Sequence, residues 1–92
     1  MTYIFDLDGT LLTEGGYASA RPKQERIKHL RRLYQEGHTI VIQTARNKAY
    51  EKMTKRQLKD FEIPYHVICV GSKIFGDVYI DDKGINADDF FK

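Results

Sequence analysis

Cysteine occurs once in the 92 residues, at Cys69. No disulfide can form within the chain, and no thiolate zinc cluster can be assembled from it. Cys69 lies in the apolar run His66-Val67-Ile68-Cys69-Val70 and reads as a small core hydrophobe rather than a nucleophile. Long apolar runs are missing as well. The longest is a handful of residues, far short of the roughly 20 that a membrane helix needs. Residues 1–8 reach the acidic pair Asp6 and Asp8 too early for a signal peptide, so the expected setting is cytoplasmic, with no membrane partner. Repeats, low-complexity tracts and linkers are absent too, and the chain reads as a single domain over residues 1–92. A domain of this size buries about 60–65% of its unfolded surface, so its core is small. The apolar share of 41% is still too high for a disordered chain.

Charge imbalance is slight, at +2, but its placement is uneven. Lysines and arginines crowd residues 21–59. The acids gather near Asp6 and Asp8 and again near Asp77, Asp81 and Asp82. This pattern sets an acidic, cation-attracting cleft beside basic surfaces.

Thr2-Tyr3-Ile4-Phe5 is β-branched and aromatic and predicts a first strand. Residues 9–20 contain glycine and mostly small side chains and read as a loop or short flap. Pro22 suits the first turn of a helix. Ile27, Leu30, Leu33 and Tyr34 then recur at helical spacing until Gly37 stops the helix. Thr39-Ile40-Val41-Ile42-Gln43 is apolar along its length and predicts a strand buried on both faces. Asn47 is a suitable N-cap for a second helix, with Tyr50, Met53, Gln57, Leu58 and Phe61 on its inner face and Pro64 closing it. Residues 65–70 and 78–80 read as two more strands, and residues 86–91 as a helical turn or two. Strands alternating with amphipathic helices argue for an α/β fold with a parallel sheet and right-handed crossovers. Ligands in such folds sit beyond the carboxyl ends of the strands.

Each strand leaves into polar groups. The first is followed by Asp6-Leu7-Asp8-Gly9-Thr10, the second by Thr44-Ala45-Arg46, the third by Gly71-Ser72-Lys73 and the fourth by Asp81-Asp82. Taken singly, these are a turn, a strand-end cap, a solvated lysine and an acidic loop. Taken together, they meet the needs of phosphate-ester chemistry: a nucleophile in line with the leaving oxygen, a proton donor, and charge neutralisation. A carboxylate can attack phosphorus through an aspartyl-phosphate, but a phosphate dianion repels it unless a cation bridges them. Mg²⁺ suits that position, preferring hard oxygen ligands. Four converging carboxylates also repel one another, which a divalent ion resolves. The Thr44 hydroxyl with nearby backbone N–H groups, such as that of Ala45, can hold phosphoryl oxygens, and Lys73 can neutralise them.

These residues, in this order, resemble the haloacid dehalogenase (HAD) superfamily phosphatases over nearly the whole chain. Asp6-Leu7-Asp8-Gly9-Thr10 matches the first motif of that family, Thr44 the second, Lys73 the third and Tyr79-Ile80-Asp81-Asp82 the fourth. The resemblance implies a three-layer Rossmann-like fold with a parallel sheet of about four strands in the order 3-2-1-4. It implies that Asp6 is nucleophile and metal ligand and that Asp8 is the general acid, its backbone carbonyl also facing the metal. Asp81 and Asp82 complete a magnesium site, and Thr44, Ala45 and Lys73 hold the phosphoryl group. Thr10 and Arg46 are weaker candidates for substrate contact, and Lys48 could join Arg46. Ser72-Lys73-Ile74 departs from the Gly-Lys-Pro common at the third motif. No segment between motifs is long enough for a cap domain, which implies a capless member. The C-terminal run most resembles small capsule and polysaccharide biosynthesis phosphatase-like members.

The expected activity is a Mg²⁺-dependent phosphomonoesterase acting on a phosphorylated small molecule or carbohydrate. A second subunit could supply a lid, as a homo-oligomer. Three alternatives stand beside it. The basic clusters at residues 26–32 and 48–59 would suit a nucleic-acid 3′-end phosphatase, with salt-sensitive binding. A phosphoryl-accepting regulatory module also combines aspartate, threonine and lysine, but carries its acceptor after the third strand, where this chain has Gly71-Ser72. A catalytically dead binding scaffold is opposed by the intact acidic set.

Overall fold

The computed structural model describes residues 1–71, 78–80 and 87–91. The elements are β1 (Thr2–Asp6), α1 (Gln24–Gln35), β2 (Thr39–Thr44), a 3₁₀ turn (Lys48–Tyr50), α2 (Glu51–Asp60), β3 (Val67–Val70), β4 (Val78–Ile80) and α3 (Ala87–Phe90). The four strands form one parallel sheet in the order β3-β2-β1-β4. This is the expected α/β architecture and strand order. β1 pairs with β2 from Thr2↔Thr39 to Asp6↔Gln43, and with β4 as far as Phe5↔Ile80, the pair just before Asp6.

A parallel sheet covered on both faces favours strands that are apolar throughout. Ile4 and Phe5 of β1 are both buried despite pointing to opposite faces. In β2 every residue from Ile40 to Thr44 is buried, as its sequence predicted. β3 is an edge strand: Val67 is exposed and Cys69 only half-buried. Cys69 is therefore less enclosed than its apolar run suggested, because β2 covers just one of its sides.

Ile27, Leu30 and Leu33 of α1 pack into the core with Leu58 of α2 and Leu7, Leu11 and Leu12 from the segment after β1. Tyr34 lies at the rim, stacked on His66 with ring centroids 4.8 Å apart. Pro22 sits before the helix, not in its first turn. It bridges to Leu12, and α1 starts at Gln24. Phe90 of α3 and Phe91 just after it pack on Phe5 and His29, at the edge of the core.

Both main helices end in the same way. After α1, Gly37 adopts φ +92°, its N–H donates to Tyr34, and His38 N–H reaches back to Leu33. After α2, Glu62 adopts φ +55°, its N–H donates to Lys59, and Ile63 N–H reaches back to Leu58. These paired bonds are Schellman motifs, which satisfy the last helical carbonyls and need a left-handed residue after the cap. A glycine meets that need at α1, whereas at α2 a glutamate carries the strain.

Candidate active site

The chain leaves β1 at Asp6 and turns sharply. The carbonyl of Leu7 receives N–H groups from Thr10 (3.2 Å), Leu11 (2.9 Å) and Leu12 (3.0 Å). Gly9 lies within this turn at φ +83°, a region that residues with a Cβ rarely adopt. Its N–H donates to the Leu12 carbonyl at 2.7 Å. Leu7, Leu11 and Leu12 are buried, so the turn is anchored to the core on both sides of Asp8. The bridge between Asp8 and Leu12 uses the Leu7 carbonyl and the Gly9 N–H, so the Asp8 carbonyl takes no part in it.

The Asp8 side chain, 27% exposed, meets a fully enclosed arginine. Arg46 Nε donates to Asp8 Oδ2 at 2.9 Å, and Arg46 Nη2 donates to Oδ1 at 2.7 Å. This is a two-pronged guanidinium–carboxylate pair, which fixes the plane of the carboxylate as well as its position. Arg46 Nη1 donates to Gln57 Oε1 (2.6 Å) and Thr54 Oγ1 (3.2 Å), both on α2. The Tyr17 ring covers its face, with the centroid 4.5 Å from Cζ. Sequence position suggested a substrate contact for Arg46. Instead the guanidinium is occupied on its edges and one face, at 1% residue exposure.

Thr44 ends β2 beside this turn. Its hydroxyl accepts the Arg46 N–H at 3.1 Å and its carbonyl accepts the Gly71 N–H at 2.8 Å, which ties the ends of β2 and β3 together. A hydroxyl that accepts still has a proton to donate. Ala45 is exposed. Thr10 is buried in the turn, and its carbonyl accepts from Arg26 Nη1 at 3.0 Å. Asp6, partly buried, stands next to Gln43 in the β1–β2 register. Gln43 Oε1 is buried with no hydrogen-bond partner among the described residues. It is a polar group at the site end of β2 whose sole sequence signal is its place in an otherwise apolar strand. Lys73, Asp81 and Asp82 lie outside the described residues.

Asn47 caps the 3₁₀ turn ahead of α2, its Oδ1 accepting the Ala49 N–H at 2.9 Å. Tyr50, expected on the inner face of α2, is exposed and meets the Tyr17 ring edge-on at 5.1 Å. Thr54, not singled out by its sequence, takes the inner position instead. Its hydroxyl donates to the Tyr50 carbonyl at 2.8 Å while accepting from Arg46. The 3₁₀ turn rotates the start of α2, which shifts Tyr50 off the inward stripe.

The family model for haloacid dehalogenase-like hydrolases matches residues 3–92. The chain belongs to this family. Its α/β fold, with one parallel sheet in the order β3-β2-β1-β4, is that of a HAD-like hydrolase. A solved structural-genomics target from Vibrio cholerae is 33% identical, with a TM-score of 0.75, covering 99% of this chain and 88% of that one. Chains in two structures of a Pnkp1/Rnl/Hen1 complex, the second described as an RNA repair complex, share the fold. They are 23% and 24% identical with TM-scores of 0.69 and 0.67, and each match covers 83% of this chain but only 30% and 26% of those chains. No curated protein sequence matches this HAD-like hydrolase. No helix among the described residues is long and apolar enough to cross a membrane.

Proposed function

We propose that this HAD-type hydrolase is a Mg²⁺-dependent phosphomonoesterase with Asp6 as nucleophile and Asp8 as proton donor. The observation that carries the reading is the turn after β1. It brings two carboxylates, two residues apart, to the C-terminal end of the central strand beside the Thr44 end of β2. In a parallel α/β sheet this is where ligands bind.

The donor set fits a hard cation. Asp6 offers a carboxylate, the Asp8 carbonyl is left out of the bridge beside it, and Asp81 and Asp82 follow β4 in sequence. The Asp8 carboxylate is held by Arg46, which makes its backbone oxygen the better ligand from that residue. Mg²⁺ bound there would neutralise the phosphate and the attacking carboxylate.

The remaining steps belong to the chain. An Asp6 oxygen attacks phosphorus, the ester P–O bond breaks, and Asp8 gives a proton to the departing oxygen. Asp8 then removes a proton from water, the water oxygen attacks phosphorus, and inorganic phosphate leaves with Asp6 restored. Thr44 Oγ1 and the Ala45 N–H, at the end of β2, would hold phosphoryl oxygens, and Lys73 is the proposed counter-charge. Thr10, enclosed within the turn, supports its shape.

The substrate we propose is a sugar phosphate or a larger phosphorylated molecule, consistent with the resemblance to capsule and polysaccharide biosynthesis phosphatase-like proteins. The test is a panel of sugar phosphates, nucleotides and 3′-phosphorylated oligonucleotides with and without Mg²⁺. Turnover should vanish with EDTA and in Asp6→Asn. Undiminished turnover in Asp6→Asn would refute the assignment, and a preference for the oligonucleotides would move the substrate class to nucleic-acid ends.

A further inference from the structure

The segment between β1 and α1 is not a free loop. Thr13 and Arg21 close its base, through Thr13 N–H to the Arg21 carbonyl and Arg21 N–H to Thr13 Oγ1, both at 2.9 Å. Its far end comes down on α2 at Tyr17. The Tyr17 ring lies over Arg46, and its carbonyl accepts Gln57 Nε2 at 2.5 Å. Gln57 thus has both ends of its amide in use, one on the flap and one on Arg46. Arg46 spends the opposite edge of its guanidinium on Asp8.

From this chain of contacts we propose that Tyr17 and Gln57 are positioning residues that act through Arg46 on Asp8, coupling flap closure to placement of the proton donor. The proposal rests on the phosphatase reading above. A guanidinium is planar and rigid, so whatever sets its plane sets the plane of a carboxylate bound to it by two bonds. Three groups set that plane here: the Tyr17 ring on its face, and Gln57 and Thr54 on its far edge. Thr54 is anchored within α2 through the Tyr50 carbonyl and does not depend on the flap. Gln57 and Tyr17 do. When the flap lifts, Arg46 loses its facial cover and Gln57 loses the carbonyl that orients it. Asp8 is then held by an arginine free to rock. A proton donor must lie within hydrogen-bond reach of the leaving oxygen, and a displacement of about 1 Å can cost about a hundredfold in rate. Substrate that packs beneath the flap would thereby help to align its own acid.

The test exploits leaving groups. p-Nitrophenolate departs without a proton, whereas an alkyl alcohol needs one. We compare kcat/KM, which covers steps up to aspartyl-phosphate formation, for p-nitrophenyl phosphate and a simple alkyl phosphate. The enzymes are wild type, Tyr17→Ala, Tyr17→Phe and Gln57→Leu, all in Mg²⁺. Tyr17→Ala and Gln57→Leu should each lower kcat/KM for the alkyl ester about tenfold or more, out of the roughly 10²–10⁴-fold that general acid catalysis supplies. The p-nitrophenyl ester should lose less than about threefold by the same reasoning. Tyr17→Phe keeps the ring and the carbonyl and should restore the wild-type ratio. Equal losses on both esters, or no loss on either, would overturn the coupling while leaving Asp6-dependent hydrolysis intact. Absence of Asp6-dependent hydrolysis in the wild type would overturn the phosphatase reading and the coupling with it. Should Tyr17→Ala fail to fold, Gln57→Leu, which preserves the flap aromatic, decides the matter.

Discussion

The Asp8–Arg46 pair should be strongly coupled in stability, and a double-mutant cycle can show it. The perturbations are Asp8→Asn, Arg46→Met and the two combined. Arg46 has no side-chain exposure, and Asp8 is its carboxylate partner among the described residues. Removing Asp8 therefore strands a buried cation, a change that typically costs about 3–5 kcal/mol when both partners are enclosed. Asp8 is 27% exposed, so water can compensate part of that loss. The lower bound is set by exposed pairs, at about 0.2–1 kcal/mol. Two charge-assisted bonds of 2.7 and 2.9 Å, one partner fully buried, place the coupling near 2 kcal/mol. Repulsion between Asp8 and Asp6 enters both arms of the cycle and cancels to first order. A chain of this length has a stability of about 5–14 kcal/mol, so the variants should remain folded. Urea unfolding followed by far-ultraviolet circular dichroism, in EDTA to exclude adventitious cations, gives the four free energies. The coupling should also change little with added salt, because a buried pair is poorly screened. A coupling below about 0.5 kcal/mol would place the pair with ordinary surface ion pairs and refute the argument that Arg46 is enclosed around Asp8.

Two backbone positions yield further tests by the same unfolding assay. Gly9→Ala should destabilise by about 1–2 kcal/mol, because φ +83° is strained for any residue with a Cβ, and the added carbon would also displace the Glu14 carboxylate, 2.6 Å away. An unchanged midpoint would show that the turn adopts another conformation. Glu62→Gly should stabilise by up to about 1 kcal/mol, since it relieves a left-handed glutamate at the end of α2. The Arg31–Glu62 side-chain contact it removes, at 3.8 Å with the Glu62 side chain 83% exposed, is worth little, and the carbonyls of Phe61 and Glu62 remain available to Arg31. A loss of stability would mean that the ion pair outweighs the strain.

The strand order was implied only by the resemblance to the HAD superfamily, but the strands themselves, both main helices and the placement of Asp6 and Asp8 at a strand end were legible in the sequence. They depend on short-range signals: apolar runs for the strands, helical spacing of Ile27, Leu30 and Leu33, and Gly37 as a stop. Pro22 and Tyr50 were misplaced because each depended on where a turn would rotate the chain by a residue or two. Pro22 became a bridge partner of Leu12, and the 3₁₀ turn moved Tyr50 outward.

What the sequence by itself determined is the chemistry on offer: two carboxylates flanking Leu7, a strand-end threonine and an arginine two residues beyond it. What only the tertiary structure decided is how that arginine is spent. Its partners lie 8 and 11 residues ahead on α2 and 38 residues back at Asp8, with Tyr17 of the flap over its face. No local pattern encodes such a set. It arises because the turn after β1, the end of β2 and the inner face of α2 converge on one volume, where a buried guanidinium must find an acceptor on each edge.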